Sequence, residues 1–263
     1  YNISPPHMPL MDVPERYRTL YGRKDVALRP NVCRGGKAPW DEHWFKTYLW
    51  DFVFYREHQP HTRDFPWEPF DLRDLTALYY GSVSWVDDLV GALVSALREN
   101  GLEQDTLLVF TSDHGDYLGS HQRFNKGGLE EESIRIPLIF SWPSVLAPRR
   151  VNSQVASLID VMPTLLGLAG LAVPPSVQGC DLGPVLRGCA ETIGPNAAFI
   201  ECYEQIIGIR TSAHLYGAHL AGELGAVTSQ INDDRFCFFE MREDPYQMNN
   251  RAGKTVPEQT VLE

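Results

Sequence analysis

Residues 106–140, TLLVFTSDHGDYLGSHQRFNKGGLEEESIRIPLIF, hold the densest set of side chains able to do chemistry. An apolar run from Leu107 to Phe110 leads into Ser112-Asp113-His114-Gly115, and Lys126 follows before a second apolar run from Ile136 to Phe140. Asp113 offers a hard oxygen, and His114 a nitrogen that suits transition metals as well. Adjacent side chains on a strand point to opposite faces. Both can therefore meet one divalent ion only where the strand gives way to a turn, and Gly115 permits one. The same pair also suits an Asx-type turn with a surface histidine. Lys126 lies between Asn125 and Gly127-Gly128; glycines let the backbone approach a ligand closely, and a lysine there presents a point charge to a sulfate or phosphate oxygen. Strand, metal pair, loop, cation, strand is the layout of a site for a tetrahedral oxyanion.

Three further positions bear on the same chemistry. His7 is framed by Pro6 and by Met8-Pro9, whose prolines restrict the backbone. Its imidazole can donate to an anion oxygen or protonate a leaving group. His121, in the loop between the metal pair and Lys126, is placed either to reach substrate or to order the loop. Asp116 reads as support for that loop. Glu131 and Arg135, four apart, read as a structural ion pair, and Glu130-Glu131-Glu132 reads as a solvated face.

The elements that must position these residues are legible from periodicity. Over 72–99, Leu75, Leu78, Tyr79, Val83, Val86, Leu89, Val90, Leu93 and Leu97 recur at three- and four-residue steps, which predicts a helix stopping at Asn100-Gly101. Thr106 to Thr111 is too short and continuous for an amphipathic helix and predicts a buried strand; Ile134 to Ser141 predicts the next. A second apolar helix is expected over 157–170, with Asp160 capping or beginning it and Pro163 in its first turn. From about residue 195 the pattern changes to short β-like runs, Phe199–Tyr203, Ile206–Thr211, His214–Ala221 and Arg235–Met241. The fold class expected is α/β, a mixed sheet flanked by helices, with residues 1–195 in the larger domain and 196–263 forming a small antiparallel C-terminal subdomain. Residues 1–70 read as long connections with a short helix near Pro14 to Tyr21. The aromatics Trp40, Trp44, Phe45, Tyr48, Trp50, Phe52, Phe54 and Tyr55 suit either packing or a substrate cleft.

Composition sets outer limits. A hydrophobic content of 43% with 22% charged residues is that of an ordinary globular protein. The formal net charge of −11 argues against nucleic acid or an anionic membrane as partner, so an anionic substrate must rely on local cations and metal. No apolar run approaches the ~20 residues of a membrane-spanning helix. The five cysteines are odd in number, without a C-x-x-C pair, and read as thiols.

Taken together, TSDHGD at 111–116, GSHxxxxKG at 119–127 and EESIRIPLIF at 131–140 closely resemble the sulfatase family of the alkaline phosphatase superfamily. So do PPHMP at 5–9, YYGSVSWVDDLVGAL at 79–93, SLIDVMPTLLGLAGL at 157–171 and FFEMREDPYQMNNRAG at 238–253. The resemblance implies an alkaline-phosphatase-like fold, a divalent metal (Ca2+ first, with Mg2+, Mn2+ or Zn2+ as alternatives) held by Asp113 and His114, and a sulfate-ester small molecule or glycan as substrate. It further implies that Lys126 contacts the sulfate, that His7 contacts sulfate or leaving group, and that His121 is available to substrate. Family members also carry a Cys/Ser-x-Pro-x-Arg word whose first residue matures to the formylglycine nucleophile, and an upstream acidic pair. Cys33 is followed by Arg34-Gly35-Gly36, and Ser141-Trp142-Pro143-Ser144 ends in Val145, so neither supplies the word. The chain begins with Tyr1. It is expected to be the C-terminal part of a longer enzyme, inactive alone, whose N-terminal segment is its partner. A phosphodiester or phosphonate monoester hydrolase of the same superfamily is the alternative activity, and a non-catalytic binding module the alternative class.

Overall fold

A computed structural model of the chain describes residues 1–32, 71–202, 206–219 and 236–253. Cys33, the aromatics between Trp40 and Tyr55, and Arg235 lie outside the described residues. Two compact units divide the chain, Tyr1–Glu103 with Tyr117–Phe124, and Gln104–Asp116 with Asn125–Glu263.

In the first unit, helix α1 (Glu15–Arg18) packs on the long helix α2 (Leu72–Glu99), whose limits match the predicted 72–99. The start of α2 is fixed by a reciprocal cap: the Asp71 carboxylate accepts from Arg73 N at 2.7 Å, and Asp74 accepts from Asp71 N at 2.6 Å. The buried face of α2 comes from its N-terminal half, with Leu72, Leu75, Leu78, Gly81 and Val86 covered, whereas Val83 and Leu93, expected in the core, are exposed. The stripe shifts because α1 approaches at Gly81, where a Cβ would lie 2.1 Å from the Tyr17 carbonyl oxygen. Tyr17 then donates to Asp88 at 2.5 Å, and this hydrogen bond first, with desolvation after it, raises the tyrosine pKa against the lowering effect of Arg16.

Among the described residues the second unit holds two sheets. Strand β1 (Leu108–Thr111) pairs antiparallel with β2 (Leu138–Ser141), placing Thr111 opposite Leu138. Expected to be buried, β1 is only half-buried, since among the described residues it has β2 as its one hydrogen-bonded neighbour. The predicted 134–141 strand is shorter than expected: Ile134 closes a short helix, α3 (Glu131–Ile134), residues 135–137 are irregular, and the strand begins at Leu138. The predicted 157–170 helix is a 3-10 turn, Leu158–Asp160, followed by α4 (Val161–Leu168); Asp160 accepts from Ser157 N and Cys180 N, both at 2.8 Å. After α5 (Gly183–Leu186) come four antiparallel strands in sequential order: β3 (Ala197–Cys202), β4 (Ile206–Thr211), β5 (His214–His219) and β6 (Phe236–Glu240).

This four-stranded sheet buries one face under residues 127–134. Leu129 packs with Ile206, Leu215, Phe239 and Met241. Gly208 and Gly217 face one another across β4 and β5. A Cβ at Gly208 would sit 2.9 Å from a Leu129 methyl, and one at Gly217 2.2 Å, so the glycine pair forms the slot that leucine fills. Beside it Arg210 donates to Glu131 at 2.7 Å, and Gln247 accepts from Glu131 N at 2.7 Å. The acidic run is therefore no solvated face: Glu130 and Glu132 are buried, and Glu131 is tied to the sheet. The expected Glu131–Arg135 pair is present at 3.7 Å, with Arg135 largely exposed; Arg210 is the shorter partner.

Candidate functional site

Asp113 and His114 sit in the turn that follows β1. The turn folds on itself through short polar contacts. Thr111 Oγ1 donates to the Pro137 carbonyl at 2.9 Å, fixing the strand end to β2. Ser112 Oγ donates to the His114 carbonyl at 2.9 Å, and the Asp113 carboxylate accepts from His114 N at 3.0 Å. Gly115 is required here for close approach: its N–H donates to the Ser133 carbonyl at 2.8 Å, and a Cβ would lie 2.0 Å from the Glu132 carbonyl oxygen. The turn is thus clamped against α3 through backbone, while its two functional side chains are left to face outward.

The histidine tautomer follows from its partners. His114 Nδ1 lies 2.7 Å from the Gly115 carbonyl. A carbonyl only accepts, so Nδ1 carries the proton and Nε2 keeps its lone pair for a ligand. Nε2 lies 3.6 Å from Asp113 Oδ2, whose side chain is 84% exposed. Two donors each ~2.4 Å from one ion, at right angles, stand about 3.4 Å apart. The pair therefore fits two adjacent positions of a divalent metal. Among the described residues no set of three His, Cys, Asp or Glu side chains converges on one point, so the pair supplies part of a coordination shell. Partial burial works to raise the Asp113 pKa; His114, the nearby backbone N–H groups and Ser112 outweigh it, holding the carboxyl below its ordinary value.

Lys126 is half-buried on a loop whose backbone is bent on both sides. Asn125 has φ 66° and Gly127 φ 104°, a left-handed geometry that glycine tolerates freely. Asn125 N donates to Asp116 Oδ1 at 3.3 Å, the loop support expected of Asp116. Gly127 N donates to Ser133 Oγ at 3.1 Å. Residue 133 thus holds both ends of the arrangement, the metal turn by its carbonyl and the lysine loop by its hydroxyl.

The remaining predicted residues belong to the first unit. The His7 ring is exposed, with Nδ1 2.8 Å from the Met8 carbonyl, so its Nε2 is likewise the open nitrogen. His121 is 8% exposed; its N–H donates to the Asn31 carbonyl at 2.9 Å, and its Nε2 accepts from Asn31 Nδ2 at 3.0 Å. In the same loop Arg123 donates to Tyr117 Oη at 2.9 Å and stacks on that ring. Sequence reasoning passed over Ser133 and Gln247, although both stand inside motif words quoted for the resemblance. Their signal is weak: a serine behind two glutamates reads as an ordinary helix start, and a glutamine in a C-terminal turn as surface.

A family model described as Sulfatase matches residues 6–171, and one described as N-sulphoglucosamine sulphohydrolase, C-terminal, matches residues 119–262. Arylsulfatase K of Xenopus laevis is 32% identical over 205 residues, covering 73% of this chain and 36% of that protein. An N-acetylglucosamine-6-O-sulfatase of Bacteroides thetaiotaomicron is 33% identical over 178 residues, 67% of this chain and 32% of its own length. The chain thus spans about a third of the length of these curated relatives. Among solved structures, a phosphonate monoester hydrolase from Silicibacter pomeroyi superposes with a TM-score of 0.73 at 25% identity, covering 98% of this chain and 52% of the other. The fold is accordingly the α/β fold of the alkaline phosphatase superfamily. With one family model matched over most of its length and the Asp-His turn and lysine loop lying inside the matched region, the chain belongs to the sulfatase family.

Proposed function

We propose that this chain is part of a metal-dependent sulfuric ester hydrolase whose formylglycine nucleophile is supplied by sequence outside residues 1–263. The observation that carries the reading is the Asp113 carboxylate and the open His114 Nε2, 3.6 Å apart, on a turn fastened to the residue that also fastens the Lys126 loop. The family works with a divalent metal. Asp113 and His114 are the residues here that would hold it; the carboxylate favours a hard cation, Ca2+ first, and the imidazole leaves room for Mn2+ or Zn2+. When bound, the metal neutralises charge on the substrate's anionic group. Lys126 adds a fixed positive charge to the sulfuryl oxygens, and His7 Nε2 contacts sulfate or the leaving oxygen. His121, spent on Asn31, shapes the substrate loop from within. Residues 1–195 belong to the catalytic domain and 196–263 to a C-terminal subdomain whose sheet carries α3.

The similarity to an N-acetylglucosamine-6-O-sulfatase supports a sulfated glycan as substrate. A phosphonate monoester is the second reading, favoured by the superposition on a phosphonate monoester hydrolase over nearly the whole chain. The full-length enzyme should be assayed with sulfated N-acetylglucosamine, 4-nitrophenyl sulfate and a phenyl phosphonate monoester. Sulfate-ester cleavage is expected to give the highest kcat/KM. A higher value on the phosphonate would select the second reading, and no turnover of any ester would leave a binding module.

A further inference from the structure

We propose that Ser133 is the positioning residue for Lys126, acting through its hydroxyl on the Gly127 amide. The inference rests on the reading of Lys126 as the sulfate contact. Ser133 is 4% exposed, so its hydroxyl is not placed to meet substrate itself. Its two polar groups serve different segments: the carbonyl accepts from Gly115 N at 2.8 Å, and Oγ accepts from Gly127 N at 3.1 Å. The first bond belongs to the turn bearing Asp113 and His114, the second to the loop bearing Lys126. Ser133 therefore sets the height of the cation relative to the metal pair from the Gly127 side of Lys126, while Asp116 holds Asn125 N on the other side at 3.3 Å.

The chemistry makes this register worth holding. Lysine is a point charge on a flexible stem, without the planar fork that pre-orients arginine. Its usefulness to an anion depends on where its backbone is fixed. Asn125 and Gly127, on either side, both adopt left-handed backbone, and neither neighbour is in a helix or strand that would hold it. Gly127 is buried, so losing the serine hydroxyl takes a partner from an N–H set away from bulk solvent. Ser133 is itself rigid. Its N–H donates to the Glu130 carbonyl at 2.8 Å, and α3 is anchored by Gln247 and Arg210 to the four-stranded sheet.

The test is a double-mutant cycle in the full-length, metal-loaded enzyme with 4-nitrophenyl sulfate, using Ser133→Ala, Lys126→Ala and the double variant. Ser133→Ala is expected to lower kcat/KM by about 10-fold or more, the scale for residues that orient a functional one. It leaves the metal content unchanged, because the backbone bond to Gly115 survives. In the Lys126→Ala background the same change should cost no more than about 2-fold, since the residue it positions is gone. Ser133→Thr, which keeps the hydroxyl, should recover most of the activity. Hydrogen exchange at the Gly127 amide should accelerate in Ser133→Ala and not in Ser133→Thr. Equal losses in both backgrounds, or unchanged exchange at Gly127, would overturn the positioning role and leave Lys126 untouched. A Lys126→Ala enzyme with full activity would instead overturn the reading of Lys126, and the exchange measurement would then decide for Ser133 alone.

Discussion

His114 and His121 belong to consecutive stretches of one segment, yet the fold uses them in opposite ways. In the turn 112–116, His114 spends Nδ1 on the carbonyl next to it and leaves Nε2 open beside an exposed carboxylate. In the loop 117–124, His121 is buried and spends Nε2 on Asn31. The difference teaches that a histidine's role is set by which nitrogen the fold has already engaged. The turn is held by its backbone so that side chains remain available; the loop is held by its side chains, Arg123 on Tyr117 and His121 on Asn31.

Substitutions in the full-length enzyme can break or sharpen this contrast. The largest effect is expected for Asp113→Ala, which removes a charged donor of the metal pair. Turnover of a sulfate ester should fall by about 10³-fold, the upper end for losing one charge-stabilising group, with the metal lost on dialysis as read by elemental analysis. Lys126→Ala should cost roughly 10²-fold in kcat/KM while the metal stays bound; loss of metal in that variant would mean the lysine has been given the wrong task. On the other side of the comparison, Asn31→Ala should act first on stability. It removes a buried partner of the His121 ring, a loss of about 1–3 kcal/mol in chemical denaturation, with metal content unchanged. The smallest effect is expected for Arg210→Ala. Its pair with Glu131 is partly buried, with side chains 19% and 16% exposed, so about 1–2 kcal/mol of stability should go, together with a modest rise in KM as α3 loosens.

Much of this could be read from the sequence because it depends on local patterns. Helix α2 ran to its predicted limits since its apolar spacing is regular and Asn100-Gly101 is strong punctuation, and β4 was found residue for residue because its short apolar run gives way to the turn at Ser212-Ala213. The Asp-His turn could be read as a metal pair only with the surrounding motif words, since the two residues alone suit an ordinary Asx turn as well. What failed depended on partners far along the chain. The buried stripe of α2 moved because α1 needs Gly81, which periodicity alone cannot rank above Val83. The run looked solvated because the partners that tie Glu131 to the sheet, Arg210 and Gln247, lie 79 and 116 positions downstream. Ser133 was missed for the same reason: its importance lies in two backbone N–H groups, and no residue type advertises those.

Asp113 and His114, and not His121, are the residues proposed to hold a divalent metal. Calcium titration by calorimetry of the metal-stripped full-length enzyme tests this most directly, comparing wild type, Asp113→Ala, His114→Ala and His121→Ala. The account predicts that His121→Ala binds as wild type does. His114→Ala should weaken affinity by at least about 10-fold, and Asp113→Ala should show no binding. Wild-type affinity in Asp113→Ala and His114→Ala, or its loss in His121→Ala alone, would contradict it.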